Sequence, residues 1–291
     1  MPQARINGID LYYETAGSGP PVLFIHGGFG GIGTTLTPRT HPWARALLDA
    51  YRFIHYDRRA AGQSAYPETG YDLETFAADA RGLLQHLGEK QAFIMGDSAG
   101  GPIALTFALT YPDATRGLVL AETGARLLAG RSAERIQERL AVLGTAGPAA
   151  AYAARKEGGG VGLGERAKWF TLPPDVEEEL VRGQQAFLER LGETTREDRI
   201  AWYAGELRNY SAYLDVDLHP RLAEIQCPTL VIHGDRDGLI PHKLGQRLAA
   251  GLPNAELVTI ADADHGVMYF PGAAEALRAW LDRQRRALGS T

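Results

Sequence analysis

Six short, largely apolar runs recur along this chain with helical patterns between them: Pro21–Ile25, Arg52–Tyr56, Ala92–Met95, Gly117–Leu120, Thr229–Ile232 and Glu256–Ile260. A strand that is apolar on both faces must be covered on both faces, and the intervening helices supply that cover. Strands alternating with helices specify a mostly parallel sheet, so the expected class is α/β. Ahead of the first run, Arg5–Ile6 and Ile9–Glu14 flank Asn7-Gly8. Asn-Gly accepts the positive φ values of a tight hairpin turn, so the sheet should open with an antiparallel pair.

The alternation breaks once. From about residue 125 to residue 215 only helical periodicity is present. Ile200, Tyr203, Leu207, Tyr210 and Leu214 follow at spacings of 3, 4, 3 and 4, a single helical stripe. Asp175, after Pro173-Pro174 and three residues before Glu178, has the arrangement of a capped helix start. Residues 1–124 and 216–291 are therefore expected to form the core, and 125–215 a helical cap. Such a cap would lie over the carboxyl ends of the strands, where open parallel sheets bind ligands. The glycine-rich stretch 158–164 lies inside this helical region rather than between a strand and a helix. It is expected to be a flexible loop and not a phosphate cradle.

Thirty basic against thirty-five acidic side chains give a net charge of −5, and no block of Lys and Arg is interleaved with aromatics. Neither feature suits nucleic acid as a partner. No apolar run reaches the length of a membrane span. Cys227 is the only cysteine, so no intrachain disulfide can form, and the first residues lack an apolar leader. The expectation is a cytoplasmic protein with a small-molecule substrate. Cys227, just ahead of an apolar run, is read as a small residue buried at a strand entrance.

Four segments carry chemistry. Gly96-Asp97-Ser98-Ala99-Gly100-Gly101 directly follows the run ending at Met95 and opens a helical pattern, Pro102–Tyr111. In that strand–turn–helix setting a G-x-S-x-G sequence forces the serine hydroxyl out above the sheet. The helix beginning just after it lends its positive end to a developing anion. His26-Gly27-Gly28-Phe29-Gly30 follows Pro21–Ile25 and leaves backbone N–H groups uncovered. Together with the Ala99 N–H, that of Gly28, or failing it Phe29, could form an oxyanion hole. His26 itself reads as structural.

The third segment, Ile232-His233-Gly234-Asp235-Arg236-Asp237, brings a strand into a turn with two aspartates. Asp235 is read as a turn-former. Asp237 is read as the carboxylate that orients a histidine, with Glu122 as a second choice. The fourth is Ala263-Asp264-His265-Gly266, after the final run. Of eight histidines, only His265 combines a strand end with the chain order Ser, Asp, His. His55 reads as a core residue, and His41, His86, His219 and His242 as surface residues. No His or Cys pair has metal-ligand spacing, so neither metal nor cofactor is expected.

This order of hairpin, His-Gly-Gly, elbow serine, helical insert, aspartate and late histidine resembles the α/β-hydrolase superfamily. Asp57-Arg58-Arg59-Ala60-Ala61-Gly62-Gln63-Ser64 is similar to its D-x-R-G-x-G-x-S turn, with Ala60 where a glycine is usual. The resemblance implies a serine hydrolase with Ser98 as nucleophile, His265 as base and Asp237 as acid. His26–Gly30 resembles the H-G-G-P-G of proline iminopeptidases, with Phe29 in place of proline, and Gly96–Gly101 resembles the G-D-S-A-G-G of hormone-sensitive-lipase-like esterases. Haloalkane dehalogenases and epoxide hydrolases carry an aspartate where Ser98 stands. Carbon–carbon bond hydrolases share the serine.

The expectation is a carboxylic ester hydrolase, with Trp202, Tyr203, Glu206 and Tyr210 of the cap near its substrate. One rival is an iminopeptidase-like aminopeptidase that uses Glu206 to hold the substrate ammonium. The other is a slow or non-catalytic small-molecule binder on the same scaffold.

Overall fold

The computed structural model describes residues 3–30, 41–155 and 194–288, with Pro174, Glu178, Arg182 and Glu189 between them. Its strands are β1 (Gln3–Ile6), β2 (Ile9–Ala16), β3 (Pro21–Ile25), β4 (Arg52–Tyr56), β5 (Ala92–Asp97), β6 (Thr115–Ala121), β7 (Thr229–Gly234) and β8 (Ala255–Ile260). They form one sheet in the order β1-β2-β4-β3-β5-β6-β7-β8. β1 and β2 pair antiparallel through the expected turn, with Asn7 at φ 48° and Gly8 at φ 81°, and β2 runs antiparallel to β4. All remaining pairs are parallel.

From β3 the chain builds first to one side, to β4, and then to the other, to β5. Such a reversal of strand order is where open parallel sheets bind ligands, at the strands' carboxyl ends. His26 and Ser98 both lie there.

Side chains alternate across the sheet with period two. Leu23, Ile25, Ile94, Leu120 and Val231 join one buried layer with α2 (Leu73–His86) and α3 (Gly100–Thr110). Val22, Phe24, Phe93, Met95, Leu230 and Ile232 join the opposite layer, closed by Trp43, Leu277 and Trp280. Asp72 caps α2 by accepting the Thr75 N–H at 2.6 Å.

His41 corrects an expectation. It is buried beside Phe24, Trp43 and the Tyr269 hydroxyl, because as the N-cap of α1 (Pro42–Arg45) it lies against the aromatic layer rather than in water. Burial depresses its basicity well below the ordinary histidine value. His55 on β4 is buried as expected, and burial lowers it to about 4. Cys227 is partly buried, and burial lifts its thiol to about 11, which leaves it protonated and inert.

Between β6 and β7 the described chain is helical. α4 (Arg131–Ala153) is broken at Gly147, whose φ of 82° and ψ of 174° leave the helix just before Pro148. α5 (Arg196–Ser211) starts with a capping box formed by Thr195 and Asp198. Tyr203 and Leu207 of its stripe pack on Ala151, Leu140 and Tyr152. The start expected at Asp175 and the stretch 158–164 lie outside the described residues. Among the described residues no helix is long and apolar enough to cross a membrane. The chain continues through α6 (His242–Gly251) and ends the described region with α7 (Ala273–Leu288).

Candidate active site

The turn after β5 holds Ser98 at φ 47°, a left-handed conformation that few side chains accept. Surrounding backbone enforces it. The Ser98 N–H donates to Ala121 O at 2.9 Å. The Ser98 carbonyl accepts the Gly101 N–H at 3.0 Å and the Thr123 hydroxyl at 2.6 Å. The glycines here are steric requirements. A Cβ on Gly100 would sit 2.0 Å from Ile25 O, and one on Gly101 would sit 2.1 Å from Thr123 Oγ1.

His265 reaches this serine from the loop after β8, with Nε2 3.2 Å from Ser98 Oγ. Its Nδ1 lies 2.9 Å from Asp237 Oδ2, after β7. The other Asp237 oxygen accepts the N–H groups of Leu239 and Ile240 at 2.9 and 2.8 Å, so the carboxylate cannot turn away. Burial opposes its charge. Hydrogen bonds from His233 and His265 outweigh that, and the Asp237 carboxyl is held well below the usual range. Residues 167 and 28 positions apart thus meet in one line.

Two further side chains orient the groups around this line. His26 Nδ1 donates to Gly27 O at 2.7 Å, and its Nε2 accepts the Arg58 N–H at 3.2 Å. Because a peptide's C=O and N–H point in opposite directions, this fixes where the Gly28 N–H points. Thr123 does the same for the Ala99 N–H by holding the Ser98 carbonyl. Arg58, fully buried, joins the two halves: its guanidinium donates to Gly28 O and to the Tyr213 hydroxyl, which donates to Ala99 O. Ala60, in the turn after Arg58, keeps a glycine-like φ of 51°.

Sequence reasoning passed over two residues here, His233 and Asp97, and gave a third, Glu122, a different part. His233 is buried and donates to Ile240 O at 2.7 Å, with the same Nε2 3.4 Å from Asp237 Oδ2, so it buttresses the acid. Its place at the end of β7, four residues before Asp237, was the available signal. Glu122, the second-choice acid, accepts the N–H groups of Gly266 and Val267, and its Oε1 lies 3.7 Å from His265 Nε2. Asp97 adjoins it: burial raises the Asp97 carboxyl to about 6, and Glu122 is its hydrogen-bond partner. Burial also raises Glu122 well above the ordinary range. Burial works against a charged His265 too, but Glu122, Asp237 and Asp97 together lift it to about 9.

The remaining expected residues lie on α5. Tyr210 stacks on Phe29 with ring centroids 3.9 Å apart, so it meets the loop that carries Gly28. Tyr203 is buried against Tyr152 within the helical insertion, edge to face. Glu206 is buried on the same helix, and Trp202 is partly exposed. Among the described residues, one group brings three metal-type donors within 4.8 Å, namely Glu122, Asp237 and His265. Each of these already has hydrogen-bond partners of its own.

An open, mostly parallel sheet with a serine elbow, a late histidine and a carboxylate gathered at its carboxyl rim defines one class of enzyme. Residues 20–271 match the family model described as alpha/beta hydrolase fold, and the chain belongs to that family. Several relatives match about nine tenths of the chain. It is 26% identical over 276 residues to the AB hydrolase superfamily protein YisY of Bacillus subtilis, covering 90% of each chain. It is 27% identical to the non-heme chloroperoxidase CPO-A1 of Kitasatospora aureofaciens, covering 92% of this chain and 93% of that one. Among solved structures, a thermophilic esterase from Thermogutta terrifontis superposes with a TM-score of 0.74 at 26% identity, covering 98% and 99%.

Proposed function

We propose that this hydrolase is a serine esterase that cleaves carboxylic esters of small molecules through an acyl-enzyme. The observation that carries the reading is the unbroken line from Ser98 Oγ through the His265 ring to Asp237, at 3.2 and 2.9 Å. His265 Nε2 takes the hydroxyl proton as Ser98 Oγ attacks the acyl carbon, and Asp237 stabilises the imidazolium that forms. The oxyanion then falls to the N–H groups of Ala99 and Gly28. A donor of this kind contributes about 10²–10³ in rate. His265 next returns its proton to the departing alcohol. In the second half it draws a proton from the water that attacks the acyl carbon and passes it to Ser98 Oγ as the carboxylic acid leaves.

Residues 125–215 are proposed as a cap over this site, with Tyr210 and Phe29 as an aromatic wall. The likeness to the Thermogutta esterase over nearly its full length supports ester over peptide substrates.

The test is a turnover panel of p-nitrophenyl esters and a proline arylamide with the wild type and Ser98→Ala. Ester hydrolysis should dominate, and the variant should lose about 10³–10⁶ in kcat. Preference for the arylamide would favour the aminopeptidase. Absence of turnover on every substrate would favour the binding protein.

A further inference from the structure

Asp237 alone accounts for the His265 Nδ1 partner, yet two more carboxyls face the same imidazole. They come from adjacent parallel strands. Asp97 ends β5 directly opposite Ala121 of β6, and Glu122 is the next residue. Glu122 turns inward only by taking a φ of 41°, a left-handed conformation that costs energy for a non-glycine residue and persists where its surroundings over-determine it. What they determine is plain: Glu122 Oε2 holds the loop carrying His265 through the N–H groups of Gly266 and Val267. Its Oε1 stands 3.7 Å from His265 Nε2. Asp97 is hydrogen-bonded to Glu122 and takes the N–H of Gly27.

Glu122 is buried and Asp97 half-buried; two carboxylates in hydrogen-bond contact repel each other, and the contact is attractive only if one of them carries a proton. Resting on the serine-hydrolase reading above, we propose that Asp97 and Glu122 share one proton and so present a single negative charge to the Nε2 side of His265. The proton sits on Glu122 Oε1 and is donated to Asp97, which leaves the two N–H bonds at Oε2 intact. Both residues are positioning residues that act through the imidazole.

The other titratable groups around it are Asp237 and His233 from β7 and its loop, and Asp264, whose Oδ1 accepts the His265 N–H at 2.8 Å. Burial lifts Asp97 to about 6 and Glu122 well above the usual range, as a shared proton requires. Burial works against a charged His265, but Glu122, Asp237 and Asp97 together lift it to about 9, a value that favours the protonated ring at neutral pH. A proton shared between Asp97 and Glu122 removes one of the two extra negative charges and so weakens the pull that holds a proton on the ring.

Infrared spectroscopy and pH profiles test this together. At pH 7 the wild-type enzyme should show a protonated-carboxyl stretch that shifts in D2O and vanishes in both Asp97→Asn and Glu122→Gln. Each single variant keeps one carboxylate, so its acidic limb of kcat/KM should stay near that of the wild type. The double variant loses the charge, and its limb should fall by about one pH unit, the scale of one neighbouring charge.

A wild-type spectrum without the carboxyl band would overturn the proposal. So would an unmoved limb in the double variant, or a limb moved as far by Glu122→Gln alone. Asp97→Asn leaves the Gly266 and Val267 contacts untouched, so its spectrum decides the matter if Glu122→Gln does not fold. Ester hydrolysis persisting in Ser98→Ala would defeat the serine reading while leaving the infrared result standing.

Discussion

At the rim of the sheet a Cβ on Gly100 would lie 2.0 Å from a carbonyl oxygen, whereas a Cβ on Gly144 of α4 would meet nothing within 4 Å. The contrast extends to the neighbours of each. Around Ser98, successive peptide groups are pinned by Ala121, Gly101 and Thr123. Along the 23 residues of α4, only Ile136 and Ala151 are buried, and the helix is broken at Gly147. The first region fixes a geometry within which protons move over short distances. The second has room to change its side chains without disturbing that geometry. In this account the chemistry belongs to the rim and selectivity to the insertion.

Asp237→Asn should break the rim most severely. It removes the charge that opposes the imidazolium and favours the wrong tautomer, a loss of about 10⁴ in kcat. A kcat within tenfold of the wild type would mean that the Nδ1 partner of His265 is not needed for catalysis.

Gly100→Ala follows. The added methyl cannot avoid Ile25 O without moving β3 or the elbow, so a loss of about 2–3 kcal/mol or more is expected by urea titration. An unchanged midpoint would mean that the rim is softer than described.

Acid should expose the same difference through stability. His55 is buried and neutral with its folded value lowered to about 4, while the unfolded chain binds the proton near 6.5. Below about pH 6.5 the unfolded state therefore holds more protons, and stability falls as pH drops toward 4. His55→Phe should remove about 2 kcal/mol of the loss between pH 7 and pH 5. Equal losses in the two proteins would place the acid-sensitive group elsewhere.

The smallest effect has the opposite sign. Gly144→Ala in the open middle of α4 should stabilise by about 0.5–1 kcal/mol through the unfolded chain and leave ester turnover unchanged. A destabilised variant would mean that the insertion is tighter than its spacing suggests.

Legibility in the sequence divides along the same line. The strands could be read because burial on both faces leaves little choice but apolar, branched side chains, as in Pro21–Ile25, where every residue is buried. Ser98 could be read because the elbow's steric demands leave glycine as the only solution on its flanks. That Asp237 and His265 would meet could be expected because chain order and strand ends restrict where the loops after β7 and β8 can deliver a side chain.

Contacts across the fold were not readable. Nothing local marks Thr123 as the holder of the Ser98 carbonyl, or Tyr213 as the link between Arg58 and Ala99. Asp97 occupied a variable position of its motif, and only the β5–β6 register sets it beside Glu122. His41 looked like a loop residue because the aromatic layer that covers it is assembled from Phe24, Trp43 and Tyr269, distant in the chain. On α5 the stripe announced a helix. It could not say that Tyr203 would turn into the insertion and Tyr210 onto Phe29.

Peptide mapping by mass spectrometry after fluorophosphonate treatment probes the core claim most directly. The account predicts one phosphonylated residue, Ser98, formed rapidly in the wild type and far more slowly when His265 is replaced by alanine. An adduct on any other residue, or equal labelling without the histidine, would contradict it.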